Sequence, residues 1–246
     1  MKKLSSLSVF APCLNEEKNI PFFVKKFQEV LPKLAEKYEV IIVDDGSTDN
    51  TQNIVRQLMK NNPEVKYVHH PVNLGYGASL RSGIASSQFD WIFFTDGDLQ
   101  FDLDELEKFV KETENFSAII GYREHRADGS RRVFNARLYK LFIDMLFRLH
   151  VKDIDCAFKL IRADLLKTLK LNSTGAFTSA EFLYRLKKMH IKFLQLPVKH
   201  LPRKFGTPTG NNPKVIIKAG IEALKLYLFM KFGIYSSGAE RTSKIV

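Results

Sequence analysis

Val40-Ile41-Ile42-Val43-Asp44-Asp45-Gly46-Ser47-Thr48-Asp49 decides the fold, because four β-branched residues run straight into two carboxylates and a glycine. A short, wholly apolar run of this kind reads as a strand buried on both faces, the habit of parallel sheets covered by helices. Upstream, Ile20, Phe23, Val24, Phe27, Val30, Leu31 and Leu34 recur at helical spacing within residues 17–37. Downstream, Asp49 with Gln52 three residues on reads as the N-cap pair of a helix reaching about Lys60. The same alternation continues, with strands expected at 7–11, 65–69, 91–95 and 117–121 and helices at 76–87 and 103–114. Strand and helix in turn predict βαβ units and an α/β domain with a mostly parallel sheet.

Beyond Tyr122 an arginine-rich loop, 123–132, leads into an apolar helix at about 133–149. A strand at 156–161, a helix at 178–189, a strand at 192–198 and a loop with Pro202 and Pro208 follow, and a last helix is expected from about Pro213 to Phe232. The economical division is one domain over 1–210 with an appended helix and polar tail over 211–246.

Charge divides the chain more sharply than composition does. Residues 1–120 carry 13 Lys and Arg against 18 Asp and Glu, whereas residues 121–246 carry 25 against 9. An acidic half suits a metal-bound nucleotide, and a basic half suits an anionic acceptor or membrane surface. Two cysteines, Cys13 and Cys156, exclude a disulfide framework and a four-thiolate zinc site. No apolar run reaches 18 residues, and the lysines at 2 and 3 are followed by no cleavage-site pattern. The expectation is therefore a cytoplasmic protein.

Three polar clusters fall where strands end: Asn15-Glu16-Glu17, Asp44-Asp45 and Asp96-Gly97-Asp98. Ligands of open α/β sheets sit beyond the carboxyl ends of strands. Carboxylates gathered there repel one another unless a cation or hydrogen-bond donors intervene. Asp96, Asp98 and the amide oxygen of Gln100 offer hard oxygen ligands from one loop, suited to Mg²⁺ or Mn²⁺ on a diphosphate. Gly75 and Gly77 begin a dinucleotide fingerprint that Leu80 breaks, and there is no Walker A loop, His-Glu-x-x-His or nucleophile elbow.

The order Pro12-x-x-Asn15-Glu16, Asp44-Asp45-Gly46-Ser47-Thr48-Asp49, Asn73-x-Gly75-x-Gly77-Ala78 and Asp96-Gly97-Asp98-Leu99-Gln100 resembles glycosyltransferase family 2. Within the family it is most similar to the dolichyl- or polyprenyl-phosphate mannosyl- and glucosyltransferases, over roughly residues 5–210. The resemblance implies a GT-A fold, a Rossmann-like sheet in one domain. It implies that Pro12, Asn15, Glu16, Val43 and Asp45 hold the nucleotide of a sugar donor such as GDP-mannose or UDP-glucose. Asp96, Gly97 and Arg203 of His200-x-x-Arg203 would meet its diphosphate, and Asp96, Asp98 and Gln100 the metal. Arg123, Arg137 and Asp153 would hold the phosphate of the lipid acceptor, which makes Asp98, Arg123 and Arg137 the residues expected to drive catalysis. Glu181 and Phe158-Lys159 match further motifs. Three positions depart from the family pattern: Gly97 and Ala157 exchange the usual Ala and Gly, and Leu141 replaces a serine.

A phosphate acceptor is already anionic and needs orienting cations rather than a general base. The cluster Arg123, Arg126, Arg131, Arg132 and Arg137 fits that requirement. A hydroxyl acceptor, the alternative for a soluble family 2 enzyme, would need a base such as Glu181 or Asp153. Nucleic-acid binding by the basic half is a remote alternative, since no reading motif accompanies the charge. The last helix carries Lys214, Lys218, Glu222 and Lys225 on one face and Ile217, Ile221, Leu224 and Leu228 on another. That pattern predicts either a peripheral helix on a membrane surface or a face packed against protein.

Overall fold

In a computed structural model, residues 2–124, 130–206 and 213–232 are described, with the side chains of 130–133, 213–216, 218 and 229–232 left aside. Seven strands form one sheet: β1 (Leu4–Cys13), β2 (Ala35–Asp44), β3 (Val65–His69), β4 (Trp91–Phe94), β5 (Ala118–Arg123), β6 (Lys159–Arg162) and β7 (Leu194–Val198). Their order is β3-β2-β1-β4-β6-β5-β7. All neighbours are parallel except β6, which runs antiparallel to both β4 and β5.

Helices cover both faces. On one side α1 (Ile20–Leu34), α2 (Thr51–Asn61) and α4 (Leu106–Lys111) enclose Val9, Ile42, Phe93 and Phe158. On the other, α3 (Tyr76–Ser86), α5 (Ser130–Phe147), α6 (Ala163–Thr168), α7 (Thr178–Lys188) and α8 (Pro213–Phe232) enclose Phe10, Ile41, Val43, Ile92 and Phe94. Neighbouring residues of one strand thus feed opposite cores, as the period-2 geometry of a strand requires.

Several expected boundaries move, each for a tertiary reason. The helix expected to reach Lys37 ends at Leu34, because Ala35–Glu39 pair with the start of β1. Glu39, buried on that strand, accepts from the Ser8 hydroxyl at 2.5 Å. Asp49 does not pair with Gln52; its carboxylate accepts from the Thr51 amide and hydroxyl at 3.0 and 2.6 Å. The strand expected at 156 begins at Lys159, and the short helix α6 had no forecast. Residues 125–129 of the arginine-rich loop and the tail after 232 lie outside the described residues.

The antiparallel β6 matters for the site. Lys159 at its start pairs with Phe94 and Ile120, near the ends of β4 and β5. The segment 153–158 therefore reaches the same sheet edge as the loops that follow β1, β2 and β4. Val198 beside Arg123 delivers the residues after β7 to that edge as well.

Candidate active site

The loops after β1 and β2 lace together before any ligand is considered. Asn15 takes a left-handed φ of 57°, and its side-chain oxygen accepts from the Thr48 amide at 2.8 Å. Its own amide donates to the Ser47 hydroxyl at 2.8 Å, and the Glu16 amide donates to Thr51 Oγ1 at 3.0 Å. Asp44 accepts from the Ser47 amide at 2.9 Å and the Tyr67 hydroxyl at 2.6 Å. Asp45 lies 2.7 Å from His70 Nδ1 and accepts from the Leu74 and Gly75 amides at 3.0 and 2.8 Å. Gly75, at φ 95°, must be glycine, since a Cβ there would stand 2.4 Å from the Thr174 carbonyl.

Of the residues expected to hold the nucleotide, Asn15 and Asp45 thus carry much of the loop architecture themselves. Pro12 is half-buried at the end of β1, whereas the Val43 side chain is fully buried in the second core and offers a ligand no surface. Gly97 sits against Pro12, Cys13 and Ile20 at ordinary contact distances for an added Cβ, so the usual alanine would also fit there.

Asp96 and Asp98 leave the end of β4 together. The Asp96 carboxyl is pushed up to about 7, first by burial and then by the Asp98 charge, while Arg123, Lys159 and Arg203 pull the other way. Asp98 accepts from the Gln100 amide at 3.1 Å and from Arg203 Nη1 at 3.0 Å. Gln100, buried, turns its amide nitrogen to the Leu201 carbonyl at 3.3 Å. Arg203 also pairs with the buried Glu16, whose own carboxyl is raised chiefly by burial.

A divalent ion fits this donor set. The Asp98 charge adds to burial in raising the Asp96 carboxyl, and a cation bound at this loop would relieve both effects. Among the described residues, no three His, Cys, Asp or Glu side chains form a complete cage. The remaining ligands would be water and diphosphate oxygens, as Mg²⁺ and Mn²⁺ accept.

Of the residues expected to meet an acceptor, Arg123 and Asp153 form a nearly buried bidentate pair, with Nε–Oδ2 at 2.6 Å and Nη2–Oδ1 at 2.8 Å. Burial alone would lower the Arg123 pKa, but the paired carboxylate more than compensates and holds it above its usual value. Arg137 is exposed on α5, and the structure draws it into neither pair. Arg126 lies outside the described residues, as do the side chains of Arg131 and Arg132.

Glu181 is fully buried and fully engaged. It accepts from the Asn172 and Ser173 amides at 3.1 and 2.8 Å and pairs with Arg185 at 2.6 Å. The loop it holds supplies Thr174, whose carbonyl accepts from the Gly77 amide at 2.9 Å. Glu181 therefore braces the glycine turn rather than waiting for a substrate proton.

Two groups at this edge were not singled out on their own. Lys159 is buried and bonded to the Cys156 carbonyl, with its ammonium 5.6 Å from the Phe94 ring centre and its pKa lowered by burial. Tyr76 opens α3, and its hydroxyl is raised well above the usual value by burial and then by Asp96. The one signal for Lys159 was its place after Phe158; Tyr76 carried none beyond its place at the start of a helix.

Comparison with known proteins agrees with the fold and with the family resemblance. Residues 8–170 match the family described as Glycosyl transferase family 2. A dolichyl-phosphate beta-glucosyltransferase of Trichomonas vaginalis is 26% identical over 93% of this chain and 75% of its own length. A dodecaprenyl-phosphate galacturonate synthase of Rhizobium johnstonii is 29% identical over 67% of this chain, which spans about half of that relative, 50%. Among solved structures, glucosyl-3-phosphoglycerate synthase from Mycobacterium tuberculosis, in complex with Mn²⁺, UDP and glucosyl-3-phosphoglycerate, superposes with a TM-score of 0.69. That match is 20% identical and covers 95% of this chain and 82% of the synthase.

Proposed function

Because the chain belongs to glycosyltransferase family 2, we propose that it is a metal-dependent, inverting hexosyltransferase carrying mannose or glucose from a GDP- or UDP-sugar to a polyprenyl or dolichyl phosphate. The observation that carries the acceptor class is the engagement of both candidate bases. Asp153 is clamped to Arg123, and Glu181 is spent on two backbone amides and Arg185. An acceptor that needs no deprotonation suits such a site. Two relatives are named for transfer involving dolichyl or dodecaprenyl phosphate, which supports the same class.

In this reading the nucleotide half spans 1–120 and the acceptor half 121–210. Pro12, Asn15, Glu16 and Asp45 frame the donor nucleotide, with Val43 contributing only backbone. Asp96, Asp98 and Gln100 hold Mg²⁺ or Mn²⁺, which when bound neutralises charge on the departing diphosphate. Arg123 and Arg137 orient the acceptor phosphate, and Asp153 fixes Arg123. One phosphate oxygen attacks the anomeric carbon from the face opposite the leaving group. The new C–O bond forms as the old one breaks, and its electron pair departs with the nucleoside diphosphate.

The membrane side of the proposal rests on two helices. No helix among the described residues is long and apolar enough to cross a membrane. On α8, Ala219 and Ala223 are buried in the second core while Ile217, Ile221, Leu224 and Leu228 stay exposed. The packed and surface-facing readings of this helix thus describe its two faces. Against it lies α5, where Phe134, Leu138, Leu141 and Met145 are exposed at the same spacing, and Phe147 meets Tyr227 at 6.2 Å. Apolar stripes accompanied by Arg137 and Lys225 suit an anionic membrane surface.

Leu141 and Met145 are 69% and 71% exposed, so charges there leave the core intact. The double variant Leu141→Glu/Met145→Glu should lose association with anionic liposomes. It should also lose at least about tenfold of its transfer to polyprenyl phosphate embedded in them. Thermal stabilisation by UDP or GDP with Mn²⁺ should persist. Unchanged liposome partition would contradict the membrane reading, and loss of nucleotide stabilisation would show damage elsewhere.

A further inference from the structure

Residues 199–206 form a strap across the sheet edge, tied at both ends. At one end His200 bridges Phe101, the Leu201 amide donates to the Gln100 carbonyl at 2.7 Å, and Gln100 donates back to Leu201. At the other, Phe205 stacks on Phe22 of α1, with ring centres 6.3 Å apart and planes 14° off parallel. Between these ties Arg203 uses all three guanidinium nitrogens: Nη1 on Asp98 at 3.0 Å, Nη2 on Glu16, and Nε on the Phe205 carbonyl at 2.6 Å. Its side chain is only 17% exposed. Gly206 closes over it at φ 79°, where a Cβ would stand 2.9 Å from Nη2.

We propose that Arg203 is the resident counter-cation of the metal loop, so that Arg203 and a divalent ion compete for the charge of Asp98. The inference rests on the metal reading of Asp96 and Asp98 above. Asp98 Oδ2 already accepts from Arg203 and Oδ1 from the Gln100 amide, so a divalent ion at this carboxylate must share its charge with a guanidinium that is already seated. The two cations also repel. Metal arriving alone weakens the Arg203–Asp98 pair and sets a second cation against a guanidinium whose side chain is only partly exposed. Metal arriving with a nucleoside diphosphate offers phosphate oxygens that receive the guanidinium in turn. One side chain thereby couples the two ligands, each raising the other's affinity by the same factor. The strap then acts as a latch that favours metal already carrying its nucleotide.

The test is Mn²⁺ binding to the whole chain, followed by the paramagnetic signal of free Mn²⁺, with and without UDP or GDP. Without nucleotide, Arg203→Ala should bind Mn²⁺ about tenfold more tightly than wild type. With nucleotide the order should reverse, because the phosphate contact is gone. Phe22→Ala removes the far tie from an exposed position (56%) and should shift nucleotide-free Mn²⁺ affinity the same way, by less. Equal or weaker nucleotide-free affinity in both variants, with normal Mn²⁺ binding in the presence of nucleotide, would overturn the latch alone. Absence of Mn²⁺ binding in every protein and condition would overturn the metal reading and the latch together.

Discussion

Asp98→Ala should lower sugar transfer at saturating donor by at least about a thousandfold while the protein stays folded. Removing a single preorganised electrostatic partner of a developing charge costs about 10²–10³ in turnover. Here the lost carboxylate is also one of the two, with Asp96, that the proposed metal site would use. The fold should survive for a local reason: Asp98 is half-buried in a loop, outside the sheet and both cores, and the bonds it accepts there include those from the Gln100 amide and Arg203. Arg203 keeps Glu16 and the Phe205 carbonyl when Asp98 is gone. Circular dichroism and melting temperature should therefore stay close to wild type. Near-normal turnover in this variant would show that the loop does not hold the catalytic metal.

Asp153→Ala should have the second-largest effect, and on a different property. The Arg123–Asp153 pair is bidentate and nearly buried, with side chains 5% and 10% exposed. Deleting one partner of a buried pair strands the other charge and costs about 3–5 kcal/mol. For a chain of this size that corresponds to a fall of about 10 °C in melting temperature. Transfer should fall as well, since Arg123 loses the partner that fixes its guanidinium. Arg123→Met in the Asp153→Ala background removes the stranded charge and should restore much of the stability but none of the transfer. A melting temperature unchanged by Asp153→Ala would mean that the guanidinium finds water or Asp155 at no cost, and that Asp153 does not position it.

The alternation of strands and helices was legible because parallel strands buried on both faces must be apolar throughout. Val40–Val43 and Trp91–Phe94 admit little else, and carboxylates follow both. The site was legible to the extent that it is local: Asp96, Asp98 and Gln100 share one loop. What was hidden depends on pairing across the chain. The end of α1 is fixed by β1, some 30 residues away, since Ala35 pairs with Leu4. No periodicity reports that β6 runs backwards and so carries 153–158 to the ligand edge. Arg203 meets Asp98 and Glu16 across 105 and 187 residues, a contact that only the assembled sheet creates. Glu181 was legible only as a motif match and a candidate base; its bracing of the 172–173 amides depends on partners that the sequence does not show. Exposure of the α5 stripe was likewise invisible, since Phe134, Leu138, Leu141 and Met145 look like core residues at helical spacing.

The central claim is sugar transfer to a phosphate acceptor, and its most direct test is a labelled transfer assay with purified full-length chain. GDP-mannose and UDP-glucose serve as donors, with polyprenyl phosphate in liposomes, the corresponding polyprenol, or free sugars as acceptors. Each combination is run with Mn²⁺, with Mg²⁺ and with a chelator. The account predicts label in the lipid fraction with polyprenyl phosphate and one of the two donors, lost on chelation and absent with the polyprenol. Transfer to the polyprenol or to free sugars at rates equal to the phosphate, or transfer that survives chelation, would contradict it.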